Sequence, residues 1–409
     1  MFGDGEHDQA LADGWRDFCR RLEEAGMRVF KDQNPPDPLQ RADGFRYLTQ
    51  NLGQAFDLAL ETRDTRYPAF HHFVSPSRKL GSDNADAVYL QAWIDGASVY
   101  RVSGRKGSAR FWNFTIQGPR PATAALHDPF GDIPEANILG HELVTDDDGR
   151  FELFIGGGRQ GANWLPTTPG SRKIFFRQFF DRWDEEPAQI AIERVDMAEP
   201  RPLPTPATMI EAMRWAGDFA FNVVDQWPDV LWRSGLIDPS AINRYAGANL
   251  RPGAPLSPEE EAQELRRGRV VTQMHWRLEP DQALILSFDA IDDFWMLTNE
   301  AMFGNSMDFA YRPVSYTPSR TAIGRDRRVR LVMAHRDPGF ANWIDAQGFR
   351  EGVLNFRNAS SRAIPAFETG TVPLRELDRA MPEDAVRIDG EGRRRQMLER
   401  FHAIRRRFA

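Results

Sequence analysis

The chain has 409 residues, 41% of them hydrophobic and 27% charged, with a formal charge of −7. That length calls for more than one core, and the acidic balance argues against a general nucleic-acid binder. No apolar run nears the roughly 18–20 residues of a membrane span, and a single cysteine excludes an intrachain disulfide or a cysteine-rich metal site and fits the cytoplasm.

The N-terminus is acidic and lacks the basic and apolar regions of a signal peptide. Leu11, Trp15, Phe18 and Leu22 recur at helical spacing and place Cys19 as a buried thiol between Phe18 and Leu22. A second helix follows "NPPDP", with Leu39, Phe45, Leu48, Leu52 and Phe56 as its apolar stripe. The runs "AVYLQAWI", "SVYRVSG", "RFWNFTIQG", "FELFIG" and "KIFFRQFF" read as strands. Asp95-Gly96 and Asp148-Gly149 fit tight turns in which positive φ favours Gly.

A Pro-rich linker, "EPRPLPTP" (199–206), closes this region. Helical spacing returns through Met213, Ala220, Val224 and Trp227. "SPEEEAQELRRG" predicts a helix with Ser257 as N-cap, Pro258 at its first position, Glu260 closing a capping box and Gly268 as its stop. Strands resume at "VVTQMHWRL", "ALILSFDA", "FWMLTNEA", "VRLVMAH" and "GVLNFRN". The last helix, 391–408, is basic. Its Met397, Leu398, Phe401 and Ile404 form a packing face, and its arginines are expected to dock on the protein's own acidic surface.

Within this order lies a repeat. "DGRFELFIGGGRQGANWL" aligns with "DRRVRLVMAHRDPGFANWI", pairing Asn163 with Asn342 and Trp164 with Trp343, and Arg177 then falls opposite Arg357. Upstream, two aromatic strands pair Asn113 with Asn299. The predicted class is α+β, mainly β: two tandem β-sandwich domains with helices before each and a C-terminal helix. The predicted divisions are a helical segment (1–65), a first sandwich (66–198), a linker and helical segment (199–268), a second sandwich repeating the first (269–376) and a basic helix (377–409).

"RADGFRYLT", "GSDNADAVYLQAWIDGASVYRVSGRKG", "GANWLP" and "FFRQFFDRWDEEPA", with "DPGFANWIDAQGFREGVLNFR" in the second half, resemble bacterial proteins of the domain-of-unknown-function 1214 family, often paired with the 1254 domain. The resemblance implies sandwiches of jelly-roll character. It supplies no catalytic residues.

Candidate site residues therefore come from chemistry. Arg177 and Arg357 sit on apolar strands, where a charge is costly unless paired. Either each makes an internal ion pair, Arg177 with Asp181, or each anchors an anionic ligand through its planar fork. Asn163-Trp164 and Asn342-Trp343 either hold a turn and plug a sandwich, or offer a ring platform with oriented hydrogen bonds. Asp83, Asn84 and Asp86, with Tyr89 after them and Arg101 and Arg105 on the next strand, form the best patch of the first domain. Such oxygen density would also suit Ca²⁺, although a turn held by its own side chains explains it as well. Asp83, Asp86 and Asp308 are the candidate acid–base groups. His335, with Asp337, marks the loop where the second copy departs from "GGG" and tilts the ligand site toward that copy.

No nucleotide-binding glycine motif, serine-hydrolase elbow or zinc-binding His set occurs. Three function classes stay open. The first is an enzyme of small-molecule catabolism acting on a glycosylated, sterol-like or aromatic substrate in an inter-sheet or inter-domain cleft, without a nucleotide cofactor. The second is a non-catalytic binder of carbohydrate or lipid-like ligands. The third is a structural jelly-roll protein that builds oligomers. The expected partner is a small molecule, with homo-oligomerisation open, and neither nucleic acid nor membrane.

Overall fold

The computed structural model describes residues 5–119, 132–233, 237–245, 258–268 and 270–409. Among them are helices α1 (Gly5–Arg28), α2 (Pro38–Phe56), α3 (Pro206–Arg233), α4 (Pro258–Arg266), α5 (Leu377–Ala380) and α6 (Gly390–Arg407). Strands β1 (His71–Val74), β2 (Ala87–Trp93), β3 (Tyr100–Arg105), β4 (Phe111–Pro119) and β5 (Asp132–Leu139) open the first β region. It continues with β6 (Arg150–Ile155), β7 (Trp164–Leu165), β8 (Lys173–Phe179) and β9 (Gln189–Arg194). The second holds β10 (Val270–Arg277), β11 (Gln282–Asp289), β12 (Trp295–Glu300) and β13 (Ser315–Tyr316), then β14 (Arg328–Ala334), β15 (Trp343–Asp345), β16 (Glu351–Asn358) and β17 (Glu368–Pro373).

The strands form four sheets, two per repeat. Each repeat has a front sheet, β1-β2-β8-β4-β5 or β10-β16-β12-β13, and a back sheet, β7-β6-β3-β9 or β15-β14-β11-β17. Alternation drives the pairing of layers: Leu90, Phe114 and Phe176 of the first front sheet pack on Val102, Phe151 and Leu153 of the first back sheet. Trp276, Trp295, Leu354 and Phe356 do the same against Leu284, Leu286 and Leu331. These are two β-sandwiches of one design. In both, a parallel pair (β6 with β7, β14 with β15) breaks an otherwise antiparallel pattern.

The repeated Asn-Trp explains that pair. Asn163 receives the N–H of Val144 and donates to the carbonyls of Val144 and Glu152. Asn342 makes the same three bonds with Ala322 and Arg330. Trp164 donates to Gly156 O and Trp343 to Ala334 O, each at 3.1 Å. Each Asn thus staples a loop to the back sheet. Replacing either Asn163 or Asn342 by Ala strands buried backbone groups, and each loss should destabilise by about 2 kcal/mol. Equal shifts in urea midpoint for the two variants are expected; a marked inequality would refute the equivalence.

Pairing register corrects one assignment within the repeat. Asn113 lies beside Arg177 as Met296 lies beside Arg357, so "FWNFT" matches "FWMLT" and Asn299 is not the partner of Asn113. Asn299 instead points into its sandwich, accepting from Trp276 Nε1 at 2.8 Å. The two Gly turns also differ. Gly149 has the expected positive φ of 76°. Gly96 has none; it serves close approach, since a Cβ there would lie 1.9 Å from Thr168 O.

The helices expected before each sandwich combine into one layer. α1, α2 and α3 share a core of Phe18, Tyr47, Leu48, Phe219 and Val223, which also takes Val74 from the first sandwich and Phe303 from the second. α2 begins as predicted from Pro38, with Asp37 capping Leu39 and Gln40. The expected stripe is buried in part. Leu48, Leu52 and Phe56 join that core, while Leu39 and Phe45 are exposed and Asn51 and Gln54 are buried, because the face also meets polar backbone, Asn51 donating to Lys79 O. Cys19 is exposed, turned away from the buried Phe18. α4 begins at Pro258 and stops at Gly268 with φ +65°; its expected cap Ser257 lies outside the described residues.

α6 docks between the two sandwiches, with a different face from the one expected. Leu398 is exposed, and the buried positions are Arg393, Arg400, Ala403, Ile404 and Arg407. The three arginines recur every seven residues, so they line one stripe. Arg393 pairs with Asp337 and Arg406 with Glu186, which is docking on acidic groups. Arg400 and Arg407 instead donate to carbonyls, of Phe309 and Ser315 and of Arg182. No helix among the described residues is long and apolar enough to cross a membrane.

Candidate functional site

Each front sheet has an inner face buried in its sandwich and an outer face. The outer faces of the two front sheets touch at one end, where Ala87 and Phe179 meet Phe294, Met296 and Ala359. Inward from that contact, matched positions carry matched polar residues. Arg177 lies beside Tyr89, and Gln91 and Thr115 both pair with Phe175. In the second sandwich Arg357 lies beside Val271, and Gln273 and Thr298 both pair with Asn355. Arg, Gln and Thr therefore recur at the same register on both faces. The third polar step differs: the counterpart of Gln117 is Glu300.

All of these groups are buried: Gln91, Thr115, Arg177, Gln273, Thr298, Glu300, Asn355 and Arg357. Arg177 donates to Thr115 Oγ1 at 3.0 Å and lies over the Phe175 ring. Asp181 is not its partner, because both its oxygens receive Ser319. Arg357 donates through Nη2 to Ser82 O and sits 3.5 Å from Glu300. Burial pushes the Glu300 carboxyl up to about 7, against the pull of Arg357.

Several atoms of this set find no protein partner: Gln91 Oε1 and Asn113 Oδ1 on one sheet, and Gln273 Oε1, Asn355 Oδ1 and Arg357 Nη1 on the other. A buried polar group left unmet costs about 1–3 kcal/mol. Folded proteins rarely tolerate such groups in adjacent register positions without a purpose. The second front sheet offers two amide carbonyl acceptors and a guanidinium donor at positions next to a carboxyl poised to exchange a proton near neutrality, and the first offers two more amide carbonyls.

The other candidate residues lie around or apart from this set. Segment 81–86 stitches the sandwiches together. Asp83 receives Ser306 N and Oγ, Asn84 receives Thr298 Oγ1, and Asp86 pairs with Arg320 at 2.7 Å. Lys79, fully buried, donates to Ser306 O and Met307 O, and burial pulls its ammonium down to about 8. Asp83 and Asp86 thus turn to different partners, and no group of three or more metal-ligating side chains occurs among the described residues. Tyr89 shares the outer face of its front sheet with Arg177 and packs on both the helical layer and Phe179.

Asp308 caps its own turn through the N–H groups of Ala310 and Tyr311. His335 Nε2 lies 3.3 Å from Leu278 O, and Asp337 holds Gly339 N and Arg393. That loop, with Asn342 and Trp343, is covered by chain that follows β17. Arg101 bonds Glu152 and Glu193 on the outer face of the first back sheet, and Arg105 bonds Asp148 O. Arg105 lines, with Asn163, an open groove of about 940 Å³ on that face; Trp164 lies beside it on β7. Arg177 and Tyr89 are therefore neighbours on the first front sheet and Arg357 takes the matched position on the second, while the remaining candidates serve the domain junction or the back sheets.

A structure of an uncharacterised protein from Burkholderia cenocepacia is similar over 91% of this chain and 100% of its own, at 27% identity and a TM-score of 0.78. A Vibrio parahaemolyticus protein aligns over 80% of this chain and 98% of its own at 11% identity and a TM-score of 0.43. No curated protein matches. The family model for proteins of unknown function DUF1214 matches residues 85–180, from the stitching segment through β8 and Arg177. The stretch of the first sandwich that carries its half of the polar set is thus similar to the DUF1214 family over residues 85–180.

Proposed function

We propose that this protein binds a small polar molecule bearing a carboxylate or similar anionic group between its two front sheets, and acts on it through Glu300 as proton donor or acceptor. One observation carries the reading: on the second front sheet the unmet buried groups Gln273, Asn355 and Arg357 occupy register positions next to Glu300, whose carboxyl is raised to about 7, and the first front sheet repeats unmet amides at Gln91 and Asn113. Amides orient the ligand, Arg357 supplies a charge-assisted bond, and Glu300 exchanges the proton. Among the substrate classes considered from sequence, this lining favours a polar, hydroxylated or carboxylated molecule over a sterol. A non-catalytic binder is the second reading, because Arg, Gln and Thr recur on both sheets; Glu300 opposite Gln117 is what favours chemistry.

The test is a panel of small mono- and dicarboxylates and sugar acids, followed by thermal shift and calorimetry on the whole chain. A hit should weaken about 10–100-fold in Arg357→Gln, the worth of a hydrogen bond to a charged group. Glu300→Gln should keep binding and lose turnover. Binding indifferent to Arg357→Gln would discard the site, and turnover retained in Glu300→Gln would leave only the binder.

A further inference from the structure

The two back sheets are equivalent, yet their outer faces are finished differently. In the second sandwich the chain after β17 turns back over the sheet as a strap. Leu377, Met381 and Ala385 pack on Ala283, Val332 and Phe340. The strap also pairs by backbone: Ala341 N donates to Val386 O, and Ile388 N to Gly339 O, at 2.9 and 3.0 Å. What remains is a pocket of about 20 Å³, walled on the sheet side by Ala322, Gly324, Arg328, Arg330, Phe340 and Asn342.

By strand register and the Asn staples, these six positions correspond to Val144, Asp146, Arg150, Glu152, Gly161 and Asn163. All six line the open groove of about 940 Å³ in the first sandwich. There the chain leaves β9 for α3, and among the described residues no strap returns. Gly161, at φ +64°, stands where the strapped copy has Phe340. Ala162, the counterpart of Ala341, is exposed, and among the described residues nothing receives its N–H. Phe154 lies on the groove floor, partly exposed, at the position of the strap-covered Val332.

We propose that this groove docks an extended polypeptide segment of the strap's own chemistry, supplied by another chain. Its backbone pairs with residues 160–162, and an aliphatic side chain covers Phe154. The second sandwich shows how such a segment seats on this sheet. Added-strand recognition of this kind takes its affinity from main-chain bonds and its selectivity from alternate side chains.

The probe is a fluorescein-labelled peptide of residues 379–390 titrated into the full-length protein, whose own strap already fills the second copy. Saturable one-to-one binding is expected. Ala162→Pro, which removes the donor N–H from an exposed loop, should weaken it at least tenfold with melting unchanged; Phe154→Ser should weaken it independently. No saturable binding at about 1 mM peptide, or binding that survives both substitutions, overturns the proposal. A neutral oligosaccharide that occupies the groove in place of the peptide, indifferent to Ala162→Pro, overturns it too.

Discussion

Arg400→Met should destabilise the protein by about 3 kcal/mol, although methionine fills much of the same volume. Arg400 is buried at the centre of α6, where it donates to Phe309 O, Ser315 Oγ and Ser315 O, and lies 4.8 Å from the Trp183 ring. Removing the guanidinium leaves two buried carbonyls unmet, at about 1–3 kcal/mol each. It also forfeits a cation–π contact worth about 0.5–2 kcal/mol. Against this stands relief of the cost of burying the cation, visible in an Arg400 guanidinium drawn down to about 10 by desolvation and by Arg320 nearby. The losses win because they strand partners on the second sandwich and expose the Trp183 platform of the first. Arg394→Met, on the exposed side of the same helix, should move stability by less than about 0.5 kcal/mol. Urea unfolding of both variants decides it, and equal effects would mean that α6 docks through its length rather than through Arg400.

The second large effect is a pH profile. Glu300 ordinarily titrates near 4.5 and in the fold near 7. A raised folded value means that the native state holds the proton more tightly than the unfolded chain. The stabilisation is therefore complete below about pH 4.5, declines as pH rises, and is gone above about pH 7, for a swing of about 3 kcal/mol. Glu300→Gln mimics the protonated form at every pH. The stability difference between wild type and Glu300→Gln should thus grow in the variant's favour by about 3 kcal/mol between pH 4.5 and 8. Parallel profiles in denaturant titrations at the two pH values would show that the carboxyl is not held in the buried state described.

The repeat was legible in the sequence because its physics is local. A strand facing a core alternates, and a staple needs an Asn whose amide can both give and take, so "ANW" persists where the surrounding loops drift. The strands with Gly, Pro or few β-branched residues escaped notice, β17 ("ETGTVP") most plainly. The helix faces of α2 and α6 were read only in part, through Leu48, Leu52 and Phe56 and through Ile404, for one reason: both also bury polar groups against backbone carbonyls, and a hydrophobic stripe says nothing about that.

The site was half visible. Arg177 and Arg357 stand out as charges among apolar neighbours. Gln91, Thr115, Gln273 and Thr298 do not, because a polar residue at every second position is what a solvent-facing sheet also shows. Their burial depends on a helical layer and on a second sandwich distant in sequence, and no local pattern reports either. The alternation in "TIQG" and "TQMHW" was the available signal, and the matching register of the two copies would have singled it out.

The heptad of buried arginines in α6 has a consequence for synthesis. The first sandwich is complete once Phe180 through Arg194 have emerged, but the helix that caps Trp183 and Phe180 ends at residue 407, more than 200 residues later. At translation rates of about 5–20 residues per second that is a wait of about 10–40 s. During that time the aromatic shelf and Asp86 face the crowded surroundings of the ribosome without their cationic lid. Nascent chains stalled before residue 390 should be cut readily in this region, and full release should protect it. A messenger truncated near its end would therefore yield two nearly finished sandwiches, joined through segment 81–86 but without the helix that docks between them, a product suited to recognition by quality control rather than to partial activity.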